Sequence, residues 1–352
     1  MNPIGNFSNE QMAGQRLMVG FDGSELNHDL RFLIDTVRVG GIILFSRNVS
    51  DPDQVRDLCT SVQDHARSCG QPRVLIAIDQ EGGQVARLRE PFKQFPGNPS
   101  MEGEADAIYF AQKTAQELAD VGINMNMAPV MDVASDDGQS IMADRAFGSD
   151  PEWVAQMGVT VIRHLQENGI MAVAKHFPGI GRTILDSHHE LPVFKAEMED
   201  LTSFDLLPFE AAMKCGVAGM MLSHILYDQI DPEWPASLSP RIAKELLRER
   251  VGFSGVVITD DLDMGAIRKH YPIETCVRQI LLSDIDIVLI CHKGPDIETA
   301  FEAILRYAAD SQEIREKGQA AVQTWESAII ISSVPGFGRR LPLSVLRRGK
   351  TD

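Results

Sequence analysis

Met171-Ala172-Val173-Ala174-Lys175-His176-Phe177-Pro178-Gly179-Ile180-Gly181-Arg182-Thr183-Ile184-Leu185-Asp186-Ser187-His188-His189-Glu190-Leu191-Pro192 passes from an uncharged run into a segment dense in polar groups and chain breakers. Met171 to Ala174 read as a buried strand. Lys175 and His176 stand where that strand is expected to end. Pro178, Gly179 and Gly181 then break any regular element, so the next dozen residues read as a loop. The loop carries Asp186 and His188 two positions apart, close enough for a carboxylate to orient an imidazole. A strand that feeds ionisable groups into a Gly/Pro loop is a plausible catalytic segment of an α/β protein.

Seven further apolar runs flank this one: Gln15–Val19, Gly41–Phe45, Val74–Ile78, Met125–Val130, Val217–Leu222, Val256–Thr259 and Asp286–Ile290. Several are apolar throughout, as parallel strands covered on both faces should be. Helical patterns lie between most of them. Asp150-Pro151 supplies an N-cap and a first-turn proline, Trp153, Met157, Val161 and Leu165 repeat at helical spacing, and Gly169 closes the pattern. Ser239-Pro240 opens another helix with Ile242, Leu246 and Leu247 on one face, and residues 50–70 and 104–122 read alike. Eight strands alternating with helices predict a single (β/α)₈ TIM-type barrel, with a doubly wound open sheet as the competing arrangement. No repeat, low-complexity stretch or linker divides the chain. One barrel domain is expected over residues 1–330, followed by a basic tail over 331–352 with Arg339, Arg340, Arg347, Arg348 and Lys350.

The bulk properties narrow the function. Of 352 residues, 44% are hydrophobic and 24% charged, enough apolar material for a full core. A formal charge of −17 argues against a nucleic-acid partner or an anionic membrane surface. No run approaches a membrane span and no signal-peptide pattern opens the chain, so a cytoplasmic location is expected. Cys59, Cys69, Cys215, Cys276 and Cys291 are scattered and odd in number, without a CxxC or Cys/His zinc spacing. No disulfide framework, metal or cofactor is indicated, and oligomeric state is not legible.

In a barrel, chemistry gathers at the C-terminal ends of the strands. Six of the eight runs end in ionisable groups: Asp79-Gln80-Glu81 with Arg87 and Arg89; Asp132, Asp136, Asp137 and Asp144-Arg145; Lys175-His176 with Asp186 and His188; His224; Asp260-Asp261-Leu262-Asp263; and His292-Lys293. Asp260 directly follows a β-branched run that would hold it rigidly at the mouth, which makes it the sharpest candidate nucleophile or base. His188 with Asp186 reads as an acid/base dyad, its imidazole fixed by the carboxylate. Asp79, Arg87, Arg145, Lys175 and His176 read as substrate-positioning groups, although Asp79 and Arg87 alone could be a structural ion pair. His224 reads as a satisfied buried histidine.

Together these residues resemble the bacterial β-N-acetylglucosaminidases of glycoside hydrolase family 3, the NagZ type of peptidoglycan recycling. The resemblance runs from about Gly14 to about Gly294. Its most specific piece is Lys175-His176-Phe177-Pro178-Gly179 followed by Gly181 and Asp186-Ser187-His188. Asp79-Gln80-Glu81-Gly82-Gly83 with Arg87, Asp144-Arg145-Ala146-Phe147-Gly148 and Thr259-Asp260-Asp261-Leu262-Asp263-Met264 support it. The resemblance implies a retaining hydrolase: Asp260 as the nucleophile of a covalent glycosyl-enzyme, His188 as acid/base, Asp186 as its orienting partner. It makes Asp79, Arg87, Arg145, Lys175 and His176 the sugar-binding positions. The implied substrate is a non-reducing terminal β-linked GlcNAc, as in a GlcNAc–anhydro-muropeptide. Ile180 stands where the family usually carries His or Asn, and Arg182 is also a departure. A β-glucosidase, a phosphorolytic β-N-acetylglucosaminidase and a catalytically silent sugar-binding barrel are the competing readings.

Overall fold

A computed structural model of the chain describes residues 7–332 apart from Asp137 and Ala196. The eight apolar runs form eight parallel strands: β1 (Leu17–Val19), β2 (Gly41–Leu44), β3 (Leu75–Ile78), β4 (Met125–Asn126), β5 (Met171–Phe177), β6 (Gly219–Leu222), β7 (Val256–Thr259) and β8 (Val288–Ile290). Each pairs with its neighbour in sequence, and β8 pairs back onto β1 through Leu17–Val288 and Val19–Ile290. The remaining seam, β7 to β8, closes through the Ile258–Ile287 bridge, with the Ile287 amide donating to Val257 and the Thr259 amide to Ile287. The chain is a TIM-type barrel.

Two boundaries differ from the expectation. The regular part of β4 stops at Asn126: the Met127 amide still donates to Ile78 and the Ala128 and Pro129 carbonyls accept from Val173 and Lys175, but the register slips before Val130 pairs with Lys175. β5 does not end before Lys175 but runs to Phe177, its register against β6 shifting between Ala174 and Phe177. Charge was a poor stop signal there, since both side chains are buried against carboxylates.

The strand pleat sorts the apolar side chains into two cores. Met18, Ile43, Leu75, Ala77, Met171, Val173, Met221, Val256, Ile258 and Leu289 point inward and fill the barrel. Their neighbours Leu17, Ile42, Ile76, Ala172, Val257 and Val288 point outward under the helices. Each inward aliphatic side chain contributes roughly 1.5–3 kcal/mol by its removal from water. The helices begin where their caps predict. Asp51 accepts from the Gln54 amide at 2.9 Å to open Pro52–Ser68, and Asp150 from the Glu152 amide at 3.0 Å to open Pro151–Glu167. The floor of the barrel is sealed by the helix Gln312–Ser332, whose Val322 is fully buried in the interior core. That helix crosses the domain boundary expected at residue 330, and the cations of the basic tail lie outside the described residues. Among the described residues no helix is long and apolar enough to cross a membrane.

Candidate active site

The alternation that fills the barrel also aims its chemistry. On β3 the inward series Leu75, Ala77 continues to Asp79 and Glu81; on β5 Met171, Val173 continues to Lys175; on β7 Val256, Ile258 continues to Asp260. Three strands thus deliver an ionisable side chain one pleat beyond their last inward apolar residue.

These groups form one network. Lys175 Nζ lies 2.9 Å from Asp79 Oδ1 and 2.6 Å from Glu81 Oε1. Arg145 grips Glu81 with Nε at 3.0 Å and Nη2 at 2.7 Å, and Arg87 Nη2 reaches Asp79 Oδ2 at 3.2 Å. Burial weighs most on the Asp79 carboxylate, but Lys175 and Arg87 outweigh it and hold its pKa well below the ordinary value. Glu81 is lowered in the same way by Lys175 and Arg145. The reciprocal effect raises Lys175, against its own burial, through Asp79 and Glu81. Asp79 and Arg87 form an ion pair, and Arg87 Nε is buried without a hydrogen-bond partner.

His176 is oriented by Asp132, which is fully buried. Its Nδ1 lies 2.8 Å from Asp132 Oδ2, and the same carboxylate accepts the amides of His176 at 3.2 Å and Ile180 at 2.8 Å. Asp132 therefore ties the end of β5 to the first residues of the following loop.

Asp260 accepts the Asp261 amide at 2.8 Å through Oδ1, leaving its second oxygen for a ligand. Burial presses its pKa upward, while the imidazoles of His224 and His176, the Asp261 amide and the Lys175 ammonium more than offset that, so the pKa lies below the ordinary value. His224 is 1% exposed and satisfied: Nε2–H donates to the Asp261 carbonyl at 2.8 Å and Nδ1 meets Ser237 Oγ at 2.6 Å. It fixes the backbone beside Asp260, as a structural histidine would.

The dyad is exposed. His188 Nδ1 donates to Asp186 Oδ1 at 2.7 Å, and the His188 amide reaches the same oxygen at 2.9 Å. Burial raises Asp186 and these two hydrogen bonds outweigh it, so the carboxylate is held ionised and Nε2 is left free for proton transfer. The loop that carries the dyad is docked on the chain just beyond Asp260. Gly265 N donates to the His188 carbonyl at 3.0 Å and Ala266 N to the Ser187 carbonyl at 3.1 Å. A Cβ on Gly265 would stand 2.7 Å from the carbonyl oxygens of His188 and His189, so only glycine lets the two segments meet. Every expected site residue therefore lies at the same mouth of the barrel. Glu81 and Asp132, strand-end acids for which no role was expected, complete the arrangement.

Asp261, Asp263 and His292 also converge, with ligand atoms within 4.8 Å of one another. Their oxygens are occupied locally: Asp261 Oδ1 by the amides of Asp263 and Cys291, Asp263 Oδ2 by that of His292. The cluster laces the β7 and β8 loops together.

Residues 9–323 match the glycosyl hydrolase family 3 N terminal domain. The chain is 35% identical over 328 residues to a Beta-hexosaminidase of Alkalilimnicola ehrlichii, covering 88% of this chain and 90% of the relative. It is 33% identical over 314 residues to a Beta-hexosaminidase of Pseudomonas aeruginosa, covering 86% and 92%. The solved family 3 β-N-acetylglucosaminidase of Paenibacillus sp. FPU-7 superposes with a TM-score of 0.89 at 35% identity, over 92% of this chain and 63% of that longer protein. NagZ of Neisseria gonorrhoeae, solved with N-trifluoroacetyl-D-glucosamine, superposes with a TM-score of 0.72 at 27% identity, over 91% and 98%.

Proposed function

The chain belongs to glycosyl hydrolase family 3 and is a glycoside hydrolase of the β-N-acetylhexosaminidase kind, and from that premise we propose that it cleaves a non-reducing terminal β-linked N-acetylglucosamine with retention at the anomeric carbon. One observation carries the reading: an ionised Asp260 and an Asp186-oriented His188 stand at one mouth, on segments bonded to each other. In the first step the free oxygen of Asp260 attacks the anomeric carbon and the glycosidic bond breaks. The leaving oxygen takes the Nε2 proton of the His188 imidazolium, which is left as the imidazole with its Nδ1–H still on Asp186. In the second step water attacks the same carbon, His188 takes its proton, and the Asp260 carboxylate departs with the bonding pair. The common retaining arrangement uses two carboxylates; here an imidazole held by Asp186 stands in place of the second one.

Asp79, Arg87, Arg145, Lys175 and His176 bind the sugar. The Arg87 guanidinium and the Lys175 ammonium donate to its hydroxyls, and Asp79 accepts. A GlcNAc–anhydro-muropeptide as substrate, and a place in cytoplasmic peptidoglycan recycling, rest on the family resemblance and on bacterial relatives such as the Neisseria NagZ.

The test is release of aryl alcohol from aryl β-GlcNAc, with aryl β-glucoside and added phosphate as comparisons. Turnover of the GlcNAc substrate without phosphate is expected, and the Asp260→Ala variant is expected to lose about 10³-fold or more in kcat, as removal of a covalent nucleophile does. Strict dependence on phosphate would make the enzyme a phosphorylase. Full activity in Asp260→Ala would remove the mechanism.

A further inference from the structure

The loop that carries Asp186 and His188 stands on two feet, and both meet at one ion pair. The first foot is Gly179 to Arg182. Ile180 is 4% exposed and packs into the outer core, Gly179 lies against Asp205 so closely that a Cβ would stand 2.8 Å from that of Asp205, and the Gly179 carbonyl accepts the Tyr227 hydroxyl at 2.7 Å. The second foot is Val193–Phe194, which pairs with Leu226–Tyr227 in a short ribbon. Phe194 meets Tyr227 edge to face at 5.8 Å. Arg182 joins the feet. Its Nε donates to Asp205 Oδ1 at 3.1 Å and its Nη2 to Oδ2, while its guanidinium lies 5.0 Å from the Phe194 ring and 5.3 Å from the Phe204 ring. Asp205 itself is 1% exposed. A bidentate arginine–carboxylate pair bracketed by two aromatic faces fixes position and angle together. Ile180 and Arg182, the two departures from the family pattern, are both parts of this anchor.

We propose that Arg182 and Asp205 are positioning residues for His188: their pairing pins both feet of the catalytic loop and so sets where the imidazole stands over the anomeric carbon. The proposal rests on His188 being the acid/base. Neither residue touches the reacting atoms. Their loss leaves Asp260 and the sugar-binding network intact and misplaces the proton donor.

The test separates the two displacement steps in the purified full chain. The variants are Arg182→Met and the double Arg182→Met/Asp205→Asn, the second removing the pair without leaving a lone buried charge. With an aryl β-GlcNAc whose leaving group needs no proton, attack by Asp260 proceeds and gives a burst of aryl alcohol. Hydrolysis of the glycosyl-enzyme needs His188 as base and slows. Azide needs no deprotonation: its nitrogen bonds to the anomeric carbon as the Asp260 carboxylate leaves, giving the β-glycosyl azide. Both variants are expected to keep the burst, to lose roughly 10- to 100-fold in steady-state kcat, within the ~10²–10⁴-fold that a positioned acid/base supplies, and to regain most of it with azide. The His188→Ala variant is the reference for that pattern. A folded double variant with unchanged kcat, or a loss that azide does not restore while it restores His188→Ala, would overturn the proposal. A His188→Ala variant that turns over normally would sink the acid/base reading and the proposal with it.

Discussion

Asp79, Lys175 and Asp260 each stand two residues beyond an inward apolar side chain of their strand, so one period of the pleat decides what faces the sugar. That made them legible. Their placement needs only the inward series and the strand's end, both visible in the residue types. Glu81 was equally available, two positions past Asp79 and turned to the same Lys175, although the residue types alone gave it no role. Asp132 was visible at a strand end but its role was not, and Asp205 was not visible at all. Each is fully buried and works through a partner 44 or 23 residues away, His176 or Arg182, a relation that no local pattern carries. At this scale the dyad is the sharpest test. His188→Ala is expected to lose about 10²–10⁴-fold on alkyl β-GlcNAc, whose leaving group needs a proton, and markedly less in the burst phase with an activated aryl glycoside. Equal losses in both measurements would count against an acid role.

At the scale of elements, what matters is how the β5 loop rests on the chain after β7. The loop's carbonyls at Ser187 and His188 are taken by the amides of Ala266 and Gly265, and Lys269 Nζ reaches the His189 carbonyl at 2.6 Å and Glu190 at 2.7 Å. Nothing in the sequence links residues 187–190 to 265–269, because the contact is made between two loops and has no periodicity. Gly265→Ala would force the two segments apart by filling the 2.7 Å approach. Overpacking of this kind costs about 1–3 kcal/mol, and the loop rather than the barrel is placed to yield. The expected result is a modest loss of thermal stability with a fall in kcat that is larger for alkyl than for aryl β-GlcNAc. A variant crippled equally on both, or undamaged, would show that the docking does not position the dyad.

For the whole molecule, eight strands and their order were readable because each is a short apolar run between strong capping signals. The floor was not, since Val322 reaches the interior core from far along the chain. Charge adds a property of the whole. Burial pushes Asp205 up to about 6 against the pull of Arg182, and burial with its acidic neighbour Asp263 pushes Asp261 up to about 6. Both lie above an unfolded aspartate near ~3.9, so between roughly pH 4 and 6 the native state holds protons that the unfolded chain has released. Stability from these two groups therefore rises as pH falls from 7 through 6. Asp79, Glu81, Asp186 and Asp260 are lowered; their contribution is present above about pH 4 and is lost as the pH falls below it. Thermal melts are expected to give a higher Tm near about pH 5.5 than near about pH 7.5, and Asp205→Asn is expected to narrow that gap. A Tm that climbs steadily toward pH 7.5 in both proteins would contradict the assignment.

The pairing of β1 with β8, and the plugging of the floor by Val322, also bear on how the chain is made. Neither contact can form until those late residues have left the ribosome. At ~5–20 residues per second, the first strand waits tens of seconds for its last neighbour. Through that interval a nascent half-ring exposes two unsatisfied edges and an open apolar bore. The ring closes only once that interval has passed.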